Sequence, residues 1–374
     1  MWLAATASMS IRQRKQSELI AIKRPTTCYF VKWARSRWKC LDEKERLLNV
    51  LKAVPVDRPP VICPGGMMSA CVTEISDQVG GGHHSETKAM VSAARAINER
   101  IGFENYGVPY CLTSEVEALG ARVNIGNNLI EPRVTRYNDL PLETIMENYA
   151  PVDVTTGRMG VVLAAIAELR NNRVPVIGNV SGHISTATSV VDPLEMFKML
   201  RRDPERATRF LTFISDYLIR YALEMVRAGA DVISISDPTA TGDILGPRNF
   251  QKFAVPYYQK IIAALHQEGI PVILHICGNA SKIVDALNEV KANAVSFDSI
   301  VNMKMAREGI KTGLMGNVST QLLHTGESSK IVSITRYALH SEVDIVAPAC
   351  GLSMATSISN LKAMTDYVKE GSYH

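Results

Sequence analysis

Three residues in the second half of the chain have types and spacing that suit a soft metal ion. In Val272-Ile273-Leu274-His275-Ile276-Cys277-Gly278 an apolar run ends on His275 and Cys277. Two residues apart on a strand, both side chains turn to the same side and can share one ion. A second apolar run, Ile345-Val346-Ala347-Pro348-Ala349-Cys350-Gly351, also ends on a cysteine. One imidazole and two thiolates form a nitrogen and sulfur set that favours zinc, and three protein ligands leave a fourth position open for a substrate. Zinc with two thiolates and a neutral histidine is formally neutral. A substrate thiolate added to it makes the group singly negative, so that sulfur stays electron-rich while deprotonated near neutral pH. Each residue alone also reads as a buried thiol or a satisfied core histidine, and spacing by itself leaves the two readings open.

For these residues to meet, the strands that carry them must end at one place. From Leu41 onward, short β-branched runs alternate with helical patterns, as parallel strands joined by helices do. Phe210, Ile214, Tyr217, Leu218, Tyr221, Ala222 and Met225 recur at three- and four-residue spacing, which predicts an amphipathic helix closed by Gly229 and followed by a strand at Asp231–Ser236. The same order recurs at Gly269 and Gly309, each forty residues after the last, a step that suits one strand and one helix with their loops. Strand candidates lie around Val61, Tyr106, Val176, Ile233, Ile273, Val295, Leu314 and Ile345. That count favours a closed (β/α)8 barrel over an open doubly wound sheet, and places the chemistry at the carboxyl ends of the strands. Ala121 to Val134 reads as a β-hairpin around Gly126-Asn127-Asn128, laid over one rim. Residues 41–374 read as a single domain.

Composition bounds the function classes. A chain of 374 residues with 46% hydrophobic content fills a core and is not disordered. No run of eighteen apolar residues and no secretory signal occurs, and seven cysteines without a short-range framework argue for reduced thiols in a cytoplasmic setting. Residues 1–40 differ from the rest, with nine Lys or Arg against the single acid Glu18, and all three tryptophans. They read as a disordered tail or a start placed too far upstream, in preference to an organelle transit peptide. Without them the chain has 32 basic residues (41 less 9) against 36 acidic (37 less 1), a net charge of −4. The overall basicity therefore gives no case for nucleic-acid binding.

Several motifs together resemble the uroporphyrinogen decarboxylase superfamily, and within it the methylcobamide:coenzyme M methyltransferase branch. They run from Glu45-Arg46-Leu47 and Pro55-Val56-Asp57-Arg58-Pro59-Pro60, through Val108-Pro109-Tyr110-Cys111, Glu115 and Ala118-Leu119-Gly120, to Asp237-Pro238, Gly246-Pro247, Phe253 and Pro256-Tyr257. His275-x-Cys277-Gly278-Asn279, Gly316-Asn317-Val318 and Ala347-Pro348-x-Cys350-Gly351 follow. The His-x-Cys pair with the late cysteine marks the methyltransferases. Where the decarboxylases carry an arginine-rich segment after the first strand, this chain has Cys63-Pro64-Gly65-Gly66-Met67-Met68-Ser69-Ala70. That disfavours tetrapyrrole decarboxylation, because buried carboxylates need cationic partners.

The resemblance implies zinc on His275, Cys277 and Cys350, and methyl transfer from a methylated corrinoid protein to a small thiol, coenzyme M. The alternative is a zinc barrel that moves methyl from a small O- or N-methyl donor onto the corrinoid protein. Asp237 and Asp298, each at a strand end, are candidates for a fourth ligand or for a hydrogen-bond partner of His275, with loop capping as the plain alternative. Met67 and Met68 are candidates to meet the flat corrin, against the ordinary role of methionine as core filler. Asn179, His183 and Asn317 are further mouth candidates. A sulfonate on the thiol calls for a cation, with Arg158, Arg248 and Lys304 available and not distinguished. His83 and His84 are adjacent, so their side chains diverge, and they are not expected to be ligands.

Overall fold

Residues 40–66 and 69–371 are described by the structure, a computed structural model. The basic segment before Cys40, and Met67 and Met68, lie outside the described residues.

Among the described residues eight strands are regular: β1 Tyr106–Val108, β2 Arg122–Asn124, β3 Arg133–Arg136, β4 Val176–Ser181, β5 Val232–Ser236, β6 Val272–Ile276, β7 Ala294–Phe297 and β8 Gly313–Met315. Six of them form one parallel sheet in the order β1-β4-β5-β6-β7-β8. β4 to β8 are buried at every position, as strands covered outside by helices and inside by the packed barrel interior must be. Two further staves close the ring by single bridges. Ile345 pairs with Met315, and Val346 pairs with Val61, all parallel. The last seam joins Val61 to the segment before β1: Glu104 N–H donates to the Val61 carbonyl at 2.8 Å, and the Asn105 amide exchanges two hydrogen bonds of 2.9 Å with the Cys63 backbone. The eight staves are those expected from the sequence, and the fold is a (β/α)8 barrel.

The amino end of this seam is pinned by charge. Arg46 grips Asp57 through two nitrogens at 2.8 and 2.9 Å and reaches Glu104 at 2.8 Å. Arg58 adds two contacts to the Glu104 carboxylate at 2.6 and 2.8 Å, and the Val61 N–H donates a further hydrogen bond to it at 3.0 Å. The Pro-Val-Asp-Arg-Pro-Pro segment thus delivers the first stave into the barrel through an ion network.

The long helix Pro204–Ala228 buries the expected stripe from Phe210 to Met225 and ends on Gly229, whose φ of 116° suits glycine alone. The forty-residue step has a different meaning from the one expected. Gly229 to Gly269 spans one strand with its helices, but Gly269 to Gly309 spans both β6 and β7. The equal spacing is a coincidence of one long and two short units. The hairpin is present as antiparallel β2 and β3, with its tip one residue later than expected, where Asn127 pairs with Ile130. Asn128 ties the tip to the helix Thr73–Gln78 through Asp77 at 2.9 Å and the Thr73 hydroxyl at 3.2 Å.

Candidate metal centre

The carboxyl ends of β6 and the Ile345 stave bring three expected residues together. His275, the fourth residue of β6, is fully buried; Cys277, just past the strand, and Cys350 are half-buried. The His275 Nε2 lies 3.1 Å from the Cys277 sulfur, which lies 3.0 Å from the Cys350 sulfur. All three donor atoms fall within 4.8 Å of one another, and no other such group of His, Cys, Asp or Glu occurs among the described residues. A nitrogen and two sulfurs converging this closely fit a zinc ion, and three protein ligands leave one of its usual four positions for another ligand.

The thiols act on each other electrostatically. Contact with the Cys277 sulfur lowers the Cys350 thiol below its ordinary value; the same contact, and then burial, push Cys277 up. A divalent cation bound to both sulfurs requires both to be deprotonated. On its far side, His275 Nδ1 meets the Ser296 hydroxyl of β7 at 3.0 Å.

The other candidates are placed differently. Asp298 stands beside this group but spends its carboxylate on the Gly278 N–H at 3.1 Å, the Ile300 N–H at 3.2 Å and the Ser299 hydroxyl at 3.2 Å. It fixes the turn after Cys277. Asn317 donates to the carbonyls of Asp298 and Val301, both at 2.9 Å, joining the loops after β7 and β8. Asp237 does not join the group. Its two oxygens accept from Ser185 N–H and hydroxyl at 2.8 and 2.6 Å, from Ile184 N–H at 3.2 Å and from the Tyr258 hydroxyl at 2.8 Å. A carboxylate so placed at the first turn of the helix His183–Val190 anchors that helix. His183 is fully buried between Tyr257 and Tyr258 with Nε2 on the Phe253 carbonyl at 3.0 Å, and burial lowers its pKa. Asn179 is also fully buried, accepting from the Ser236 hydroxyl at 3.0 Å.

Of the three cations, Arg248 and Lys304 are exposed. Arg158 is committed to the His84 carbonyl, the Thr113 hydroxyl, Glu117 and the Cys111 sulfur. His83 and His84 do not approach the metal ligands as a group. They follow three glycines, Gly80 to Gly82, that all have φ between 73° and 80°, and, contrary to the divergence expected of neighbours, their buried rings lie 4.1 Å apart. Burial lowers His83 to about 4, and burial, His83 and Arg158 lower His84 to about 3, so both are neutral at neutral pH. Ser296 carried no signal in the sequence, since a serine inside an apolar run is ordinary.

Comparison with known proteins agrees with this geometry. The uroporphyrinogen decarboxylase (URO-D) family matches over residues 42–371. The methylcobamide:CoM methyltransferase MtbA of Methanosarcina acetivorans is 30% identical over 88% of this chain and 98% of its own length. The methylcobamide:CoM methyltransferase MtaA of Methanosarcina barkeri is 31% identical over 86% of this chain and 96% of its own. A solved methyltransferase from Methanosarcina mazei superposes with a TM-score of 0.82 at 32% identity, covering 88% of this chain and 99% of that one. No helix among the described residues is long and apolar enough to cross a membrane.

Proposed function

Because the chain belongs to the uroporphyrinogen decarboxylase family and is a methyltransferase within it, we propose that it carries a methyl group from a methylated corrinoid protein to a small thiol, coenzyme M. The observation that carries this reading is the convergence of His275, Cys277 and Cys350 at the barrel mouth, in a chain similar over nearly its whole length to methylcobamide:CoM methyltransferases. His275, Cys277 and Cys350 would hold zinc, which when bound supplies the positive charge that keeps an acceptor thiol deprotonated near neutral pH.

The chain's own groups position that thiol and keep it reactive. Two cysteine sulfurs as neighbours, instead of carboxylates or water, leave electron density on the acceptor sulfur. Cys277 and Cys350 are half-buried at the ends of their strands, so an acceptor held by them would be reachable by a methylated corrinoid from the barrel mouth. The new bond from sulfur to carbon forms as the bond from carbon to cobalt breaks, and the electron pair of the broken bond stays with the cobalt. No acid or base among the protein side chains is required in that step, in keeping with a mouth whose carboxylates, Asp237 and Asp298, are spent on backbone and hydroxyl donors.

The test offers zinc-loaded enzyme free methylcobalamin or a methylated corrinoid protein as donor, and coenzyme M, homocysteine or tetrahydrofolate as acceptor. Methyl-coenzyme M is expected as the main product. Product from homocysteine or tetrahydrofolate alone would replace the acceptor. Absence of transfer from either donor to any acceptor would sink the reading.

A further inference from the structure

We propose that Ser296 is a positioning residue of the metal centre: its hydroxyl oxygen accepts the Nδ1 proton of His275 and so selects the tautomer whose Nε2 is free to bind metal. The proposal rests on the reading of His275, Cys277 and Cys350 as ligands.

A neutral imidazole has one N–H and one lone pair, and the nitrogen that keeps the proton cannot bind a metal. The two ring nitrogens of His275 face different partners. Nε2 points to the Cys277 sulfur at 3.1 Å, while Nδ1 points to the Ser296 oxygen at 3.0 Å. A proton on Nδ1 satisfies both contacts, because it donates to a hydroxyl oxygen and leaves the Nε2 lone pair on the ligand side. With the proton on Nε2, the lone pair would face Ser296 and the ligand nitrogen would be blocked.

Register makes this contact a property of the barrel itself. β6 and β7 are parallel, with His275 paired to Ser296, so their side chains stand next to each other on one face. His275 is also paired on its other side, with Ser236 of β5. The Ser236 hydroxyl, however, donates to the Asn179 carbonyl oxygen at 3.0 Å, and the imidazole leans to β7. Both His275 and Ser296 are 0% exposed, so water does not compete for Nδ1. Groups that orient a ligating histidine in this way typically change metal affinity by roughly 10- to 100-fold when removed.

The experiment measures zinc affinity by competition with a chelator, with no methyl donor present, for wild type and for Ser296→Ala, Ser296→Thr and Ser296→Val. Thr and Val have nearly the same shape, and only Thr keeps the hydroxyl. Binding weaker by about 10- to 100-fold is expected for Ala and Val, with Thr close to wild type. The metal-free unfolding temperature of Thr and Val, measured in parallel, separates an effect on the ligand from an effect on the fold. Nitrogen-15 spectra of His275 in the zinc-loaded wild type should place the remaining proton on Nδ1. Equal affinities for Thr and Val, or a proton on Nε2, overturn the proposal. Failure of methyl transfer with these affinities as expected would instead count against the proposed reaction alone.

Discussion

At the amino ends of the staves, Glu104 is 1% exposed and meets two guanidiniums, one of which also holds Asp57. At the carboxyl ends, Cys277 and Cys350 are half-buried, and the contacts of their sulfurs are with each other and with His275. The lower cluster spends its carboxylates on guanidinium and backbone donors. The upper cluster concentrates donors that lack a common acceptor, which is the condition for holding a cation. One barrel thus assigns stability to one end and chemistry to the other, and substitutions at the two ends should fail in different ways.

The largest effect is expected at the mouth. Cys277→Ala, Cys350→Ala and His275→Ala should each lose the metal and cut methyl transfer by at least roughly a thousand-fold, equivalent to about 4 kcal/mol of barrier. Circular dichroism should remain that of the folded barrel, since the two cysteines are half-buried past their strands and His275 is a single ring near the carboxyl end of β6. Elemental analysis that finds full zinc in both cysteine variants would break the comparison at its upper end.

Next comes the seam. Glu104→Ala leaves two buried or half-buried guanidiniums without their shared carboxylate, a change that costs about 3–5 kcal/mol, read as a lower urea midpoint. The fraction that remains folded should still bind one zinc. A variant that kept its stability and lost its metal would show that the two ends are not separate.

The staves, and the pairing of His275 with Cys277 on one side of β6, were legible in the sequence because both depend on local rules. Apolar runs mark buried parallel strands, and a period of two decides that His275 and Cys277 share a side while Ile276 does not. What was not legible depends on which strand lies beside which. Asp237, which ends a strand, read as a ligand, a partner of His275 or a cap alike, and it is the helix that starts at His183 that aims its first N–H groups at that carboxylate. Ser296 looked like filler, and only the β6–β7 register puts it on His275. The glycines at 229, 269 and 309 show a further limit: spacing counts residues, and one long unit and two short ones can have the same length.

A smaller effect sharpens the contrast within the upper end, where His83 and His84 supply ligand types without binding geometry. Burial holds His83 at about 4 and contributes to holding His84 at about 3, whereas both would protonate near about 6.5 in the unfolded chain. The folded state therefore binds fewer protons than the unfolded one below that pH. The stability these residues contribute is complete above about pH 6.5 and is lost as pH falls, by about 3 kcal/mol at pH 4 for His83 alone. Urea midpoints between pH 7 and pH 4 should fall less steeply in His83→Leu/His84→Leu than in wild type, with zinc content unchanged at pH 7. An identical slope in the double variant would show that the histidines are already protonated or exposed.

The smallest effect tests Asp237, a strand-end carboxylate spent on a neighbouring helix. Asp237 stands at the carboxyl end of β5, one strand away from His275, but its oxygens meet four donors from the helix His183–Val190 and Tyr258. Its role therefore matches the lower end of the barrel, where charge is spent on holding elements together. In Asp237→Asn the side chain keeps its shape and one acceptor oxygen, while the new amide group confronts donors it cannot accept from. The expected cost is about 1–3 kcal/mol in unfolding free energy, with zinc affinity equal to wild type. If chelator competition instead gave weaker zinc binding in Asp237→Asn at unchanged stability, Asp237 would belong with the metal centre, and the division between the two ends would have to be redrawn through β5.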